Sequence, residues 1–70
     1  MLGTILWYSP IKSYGFILGE DEERYFLHIT ELPYNYQVKP NEEVEFEPDM
    51  TEKGLRAKKV RFLNDNRSNE

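Results

Sequence analysis

The chain has 70 residues, a formal net charge of −4 and no cysteine. A chain of this length holds one domain, buries only about 60% of the surface its unfolded form exposes and has no room for a second. Without thiols it has no disulfide framework, no thiolate metal ligand and no cysteine nucleophile, which suits a reducing compartment such as the cytoplasm.

The N-terminal run Met1-Leu2-Gly3-Thr4-Ile5-Leu6-Trp7-Tyr8 lacks the basic start and the apolar length of a signal peptide or a spanning helix, so a soluble protein with no membrane partner is expected. Further along, apolar residues come in short runs divided by turn-forming or charged residues. No window has helical periodicity, and the pattern predicts an all-β chain. A first strand over about residues 3–8 ends at Ser9-Pro10. Strands over about 13–19 and 24–29 follow, joined by the charged hairpin Glu20-Asp21-Glu22-Glu23, and the three form a meander. Ile29-Thr30-Glu31-Leu32 reads as one helical turn stopped by Pro33, which opens a long loop through Tyr34, Tyr36 and Pro40. In a fourth strand, over 43–48, Val44 and Phe46 point one way and Glu43, Glu45 and Glu47 the other. Asp49 to Gly54 turns the chain, with Gly54 free to take a positive φ, into a fifth strand over 55–63. Residues 64–70 are too polar to pack, so the domain is expected over 1–63 with a disordered polar tail over 64–70.

Five short strands with a long connection between the third and fourth predict a five-stranded antiparallel OB-type β-barrel. Aliphatic candidates for its interior are Ile5, Ile17, Leu27, Leu32, Val44, Val60 and Leu63. One Trp, five Tyr and four Phe must also be placed, and a barrel this small cannot enclose them all. If Ile17 and Leu27 face inward, then Tyr14, Phe16, Phe26 and His28 share the outer surface of two adjacent strands. The opposite assignment buries Tyr14, Phe16 and Leu18, and alternation alone does not reject it. Rings on an outer face, with Lys12 beside them and Gly15 permitting close approach, make a stacking platform for unpaired bases. His28 taken alone reads as a partly buried, hydrogen-bonded strand histidine, and beside the neighbouring aromatics as a stacking group.

Charge is unevenly spread. Acidic residues gather at 20–23 and between Glu42 and Glu52, whereas Arg56, Lys58, Lys59 and Arg61 crowd together. The basic group reads either as a phosphate-binding edge or as charges that discourage edge pairing. One histidine, no cysteine and no phosphate-cradling glycine loop give catalysis little support, and the alternating carboxylates of the fourth strand read as a solvated face rather than an acid and base pair. No enzyme, cofactor or metal site is expected.

Lys12-Ser13-Tyr14-Gly15-Phe16-Ile17 resembles the first ribonucleoprotein motif of the bacterial cold-shock proteins, and Tyr25-Phe26-Leu27-His28 resembles their second. Their order is the reverse of that in an RRM, which also needs two helices and a longer chain. Gly3-Thr4-Ile5-Leu6-Trp7-Tyr8 is similar to that family's first strand, and Lys53-Gly54-Leu55-Arg56-Ala57 falls where its last strand begins. The resemblance implies an OB-type cold-shock domain that binds single-stranded RNA or DNA, in the role of an RNA chaperone or gene-expression regulator; a monomer is expected. It implies a stacking surface of Trp7, Tyr14, Phe16, Phe26 and His28, which Lys12 flanks on the reading above, a loop aromatic at Tyr36 or Tyr34, and an edge patch of Lys53 and Arg56. Three positions depart from the family: Leu6 replaces a usual lysine, Ser13 a usual glycine and Ile29 a frequent third aromatic. The rival reading is a protein-binding OB module that uses the same aromatic patch as a hot spot.

Overall fold

The computed structural model describes residues 1–33 and 37–63, and these form a closed barrel of five strands. The strands are β1 (Leu2–Ser9), β2 (Tyr14–Gly19), β3 (Arg24–His28), β4 (Glu43–Thr51) and β5 (Gly54–Phe62), with a single 3₁₀ turn over Ile29–Glu31 after β3. The barrel order is β1-β2-β3-β5-β4, closed by antiparallel pairing of β1 with β4. The expected fold class and helical turn are both present.

The expectation of wholly antiparallel pairing needs one correction. β3 and β5 run parallel, with Phe26 opposite Arg56. Parity requires this: around a ring of five strands, directions cannot alternate at every step, so one neighbouring pair must agree. That seam has a single registered pair, whereas β4 and β5 share seven. Glu31 reinforces it from the 3₁₀ turn. Its Oε1 accepts the backbone N–H of Lys59 at 3.0 Å, and its Oε2 lies 3.8 Å from Nη2 of Arg56.

The core consists of Ile5, Ile17, Tyr25, Leu27, Val44, Phe46, Ala57, Val60 and Phe62. Leu32 packs against it from the side. Leu63 does not belong to it: the residue is 45% exposed, and Phe62 fills the inward position. Val60 and Leu63 are three apart, so a period of two cannot place both inside. β5 also carries a bulge, since two steps along β4, Glu45 to Glu47, match three along β5, Lys58 to Arg61. Lys59 adopts φ 55° there, and both lysines face out between inward Ala57 and Val60.

At the hairpin between β2 and β3, Glu22 takes φ 68°, and Gly19 N–H donates to the Glu23 carbonyl at 2.8 Å. Tyr25 is buried against Phe46, with ring centroids 4.9 Å apart, and its hydroxyl donates to Asp21 at 2.7 Å. Asp21 also accepts the Glu23 N–H at 3.0 Å. The Tyr25 hydrogen bond, aided by the Glu23 N–H, holds the Asp21 carboxyl below its usual range. The same bond, with burial and the Asp21 charge, pushes the Tyr25 phenol up to about 12. Burial alone raises Tyr8.

A raised folded-state phenol pKa contributes stability that is complete below about pH 10 and is lost as pH rises toward the folded value. A lowered carboxyl pKa contributes stability present above about pH 4 and lost as pH falls through the folded value. Thermal unfolding midpoints should therefore fall between about pH 10 and 12. In Tyr25→Phe that alkaline fall should shrink to the part carried by Tyr8, whereas an unchanged alkaline slope would refute the assignment.

Candidate nucleic-acid interface

The surface that faces solvent over β1, β2 and β3 follows from two local features. In β2 and β3, regular alternation puts Gly15, Ile17, Tyr25 and Leu27 inside and leaves Tyr14, Phe16, Phe26 and His28 on the outer face, half-buried. The outward assignment left open by the pattern is therefore the one adopted. In β1, register passes from Ile5 opposite Ile17 directly to Trp7 opposite Phe16, so Leu6 is an extra residue. Without this bulge Trp7 would share the inward face of Ile5. With it, Leu6 and Trp7 both point out, 38% and 44% exposed.

Gly15 allows the two strands to meet in this way. A Cβ there would collide with the Trp7 carbonyl oxygen and lie 2.7 Å from Tyr8 Cα. Four rings form a closed circuit: Trp7 lies 5.6 Å from Tyr14 and 5.7 Å from Phe16, and Phe26 lies 5.5 Å from Tyr14 and 5.8 Å from Phe16. His28 extends it from Phe26 at 6.3 Å. Tilted and edge-on contacts of this kind stabilise aromatic pairs by about 0.5–1.5 kcal/mol beyond burial, and they fix the rotamers of the array.

His28 makes the hydrogen bonds of its structural reading and also stands beside the ring array. Its Nδ1 accepts the Thr30 N–H at 3.2 Å, capping the 3₁₀ turn, and sits 3.0 Å from Thr30 Oγ1. With Nδ1 accepting, the neutral ring carries its proton on Nε2. The ring plane stays beside Phe26.

The expected cations fare differently. Lys12 is exposed in the turn between β1 and β2, its N–H bonded to Ser9 Oγ at 3.2 Å, and pairs with no carboxylate among the described residues. Lys53 is exposed in the turn between β4 and β5. Arg56 lies beside Phe26 through the parallel pair, but its guanidinium faces Glu31 and its Nε is buried without a partner. Lys59 pairs with Glu47 at 3.9 Å and Arg61 with Glu45 at 2.6 Å, which lowers the Glu45 pKa. The basic cluster is thus interleaved with carboxylates rather than gathered into an open patch. Tyr34 and Tyr36 lie outside the described residues, and so do residues 64–70.

Sequence reasoning missed Arg24. It lines, with Leu6, Trp7 and Phe16, a groove of about 350 Å³ at one end of the array. The signal was available: residues 24, 26 and 28 alternate with buried Tyr25 and Leu27, so Arg24 shares the outer face with Phe26 and His28.

Residues 1–63 match the family profile of the 'Cold-shock' DNA-binding domain. The chain belongs to the cold-shock domain family. It is 39% identical over 64 residues to a cold shock-like protein of Aquifex aeolicus, across 87% of this chain and 91% of that protein. It is 37% identical over 65 residues to the major cold shock protein of Micrococcus luteus, across 89% and 97% of the two chains. A probable cold shock protein A of Mycolicibacterium smegmatis is 37% identical over 64 residues, across 87% and 96%. Nucleic-acid binding, in the general sense of the family description, comes with this membership.

Against a cold-shock domain, Ser13 is a costly departure. It adopts φ 66°, donating its N–H to the Ser9 carbonyl at 2.7 Å and accepting the Ile29 N–H at 3.0 Å. A side chain in this left-handed region is disfavoured by roughly 1–2 kcal/mol. Ser13→Gly should raise unfolding stability by about 0.5–1 kcal/mol in urea titrations, after allowing for the freer unfolded chain. Ser13→Val should lower it. A destabilised glycine variant would contradict this reading of the turn.

Proposed function

We propose that this chain binds single-stranded RNA or DNA by stacking unpaired bases on Trp7, Tyr14, Phe16, Phe26 and His28. The observation that carries the proposal is the unbroken ring array on one outer face, held in place by ring-to-ring contacts. Each stack is worth about 1–3 kcal/mol and is tolerant of base identity, so two or three suffice for useful affinity. Lys12 flanks one end of the array, where it can meet a phosphate, and Lys53 stands farther off in the hairpin turn. A monomer acting in the cytoplasm as an RNA chaperone or gene-expression regulator suits such a tolerant binder. No described helix is long and apolar enough to cross a membrane, and no described cluster of acidic and histidine side chains could hold a metal ion.

One observation favours the second reading, a protein-binding surface: three of the basic side chains face carboxylates, which weakens attraction to phosphate. Titration with a heptanucleotide decides between them. Trp7 is the only tryptophan, so bases stacking on the array should quench its fluorescence. With Lys12 and Arg24 as the unpaired cations that border the array, log affinity should fall by only about 1–2 units per decade of salt, at roughly 0.7 per phosphate contact. Phe16→Ala and Phe26→Ala should each weaken binding about 5- to 100-fold while the circular dichroism spectrum is retained. Absence of quenching by any single strand at low salt would transfer the patch to a protein partner.

A further inference from the structure

We propose that the groove between Leu6, Trp7, Phe16 and Arg24 is a base-reading subsite selective for guanine. The inference rests on the stacking function proposed above and adds a specificity to it. At about 350 Å³ the groove lies within the ~300–1,000 Å³ range of small-ligand pockets, so it has room for one base. Trp7 and Phe16, 5.7 Å apart and tilted by 49°, supply aromatic walls, and exposed Leu6 supplies an aliphatic one. Arg24 is the only charged residue of the four.

What Arg24 meets there is decided by its surroundings. It follows Glu20-Asp21-Glu22-Glu23 directly, yet no described carboxylate lies within ion-pair distance of it. Asp21 is turned to Tyr25 and the Glu23 N–H. The guanidinium is therefore unpaired. The acidic turn beside it repels a phosphate but does little to a neutral base edge. A guanidinium offers parallel donors in a rigid fork, and the base edge that best answers it is guanine O6 with N7. Adenine presents N7 beside an amino donor, which meets the fork badly. Thymine alternates acceptor and donor. Guanine, as a purine, also covers more of the Trp7 ring than a pyrimidine does.

Heptathymidine and variants carrying a single guanine or a single adenine at each position in turn, titrated against the full chain with Trp7 fluorescence as readout, test this. At the one position that enters the groove, guanine should bind about 5- to 100-fold more tightly than adenine. Arg24→Ala and Arg24→Lys should both bring the guanine-to-adenine ratio there to near one, the lysine because it keeps the charge and loses the fork. Equal affinity for guanine and adenine at every position in the unmodified protein, with heptathymidine still quenching Trp7, overturns the subsite and leaves stacking intact. A uniform loss for all strands in Arg24→Ala, with the ratio unaltered, also overturns it and makes Arg24 a phosphate contact. If no strand quenches Trp7, both the subsite and the stacking function fail.

Discussion

Gly15 lies so close to the backbone of Trp7 and Tyr8 that even a methyl group would force β1 and β2 apart. The aromatic outer face depends on that approach. Where the strands meet this closely, β1 accommodates an extra residue at Leu6, the bulge reverses the phase of the strand, and Trp7 lands opposite Phe16 on the outside. An inward Trp7 would enter an interior already filled by Ile5, Ile17 and Phe46, none more than 2% exposed. Overpacking of a closed small barrel is resisted as strongly as a cavity, so core and platform are two consequences of one register shift.

The second dependence runs through the parallel seam. Five strands cannot close without one parallel pair, and this barrel puts it between the strand that carries Phe26 and the strand that carries Arg56. With so little ladder there, side chains complete the closure. Glu31 takes the N–H freed by the Lys59 bulge and stands opposite the Arg56 guanidinium. Arg56 is accordingly a structural residue first, and any contact it makes with a bound strand draws on a charge already engaged. The 3₁₀ turn that bears Glu31 is itself capped by His28, the last ring of the array. Seam, turn and platform share their parts.

These dependences mark where the sequence was readable. Period two placed Phe16 against Ile17, Phe26 against Leu27 and Glu45 against Phe46, because β2, β3 and β4 are regular where those residues lie. It says nothing of Trp7's outward turn, and it does not hold at Leu63. A bulge is one residue of backbone geometry with no composition of its own, so the outward position of Trp7 was reached by resemblance alone. Leu63 and Val60 stand at an odd spacing and so cannot both face inward, and Phe62 fills the site. The antiparallel expectation treated strands pair by pair, whereas parity is a property of the closed ring. Arg56, Lys59 and Arg61 looked like a basic patch because their carboxylate partners are distant in sequence, 25, 12 and 16 positions away.

The electrostatic outcome explains how an acidic chain can hold a polyanion. Three of the four basic residues of β5 face Glu31, Glu45 and Glu47 and so add less attraction, and the net charge of −4 opposes approach. On the stacking reading proposed above, affinity comes largely from contact: each ring is already wedged against its neighbours, so a base would find a surface whose rotamers are set, and little side-chain entropy would be lost on binding. An array prepared in this way carries exposed apolar area in the free protein. Closure of the barrel limits the hazard, because every strand of the described residues has a neighbour on both sides and little backbone ladder is left for those rings to recruit into aggregates.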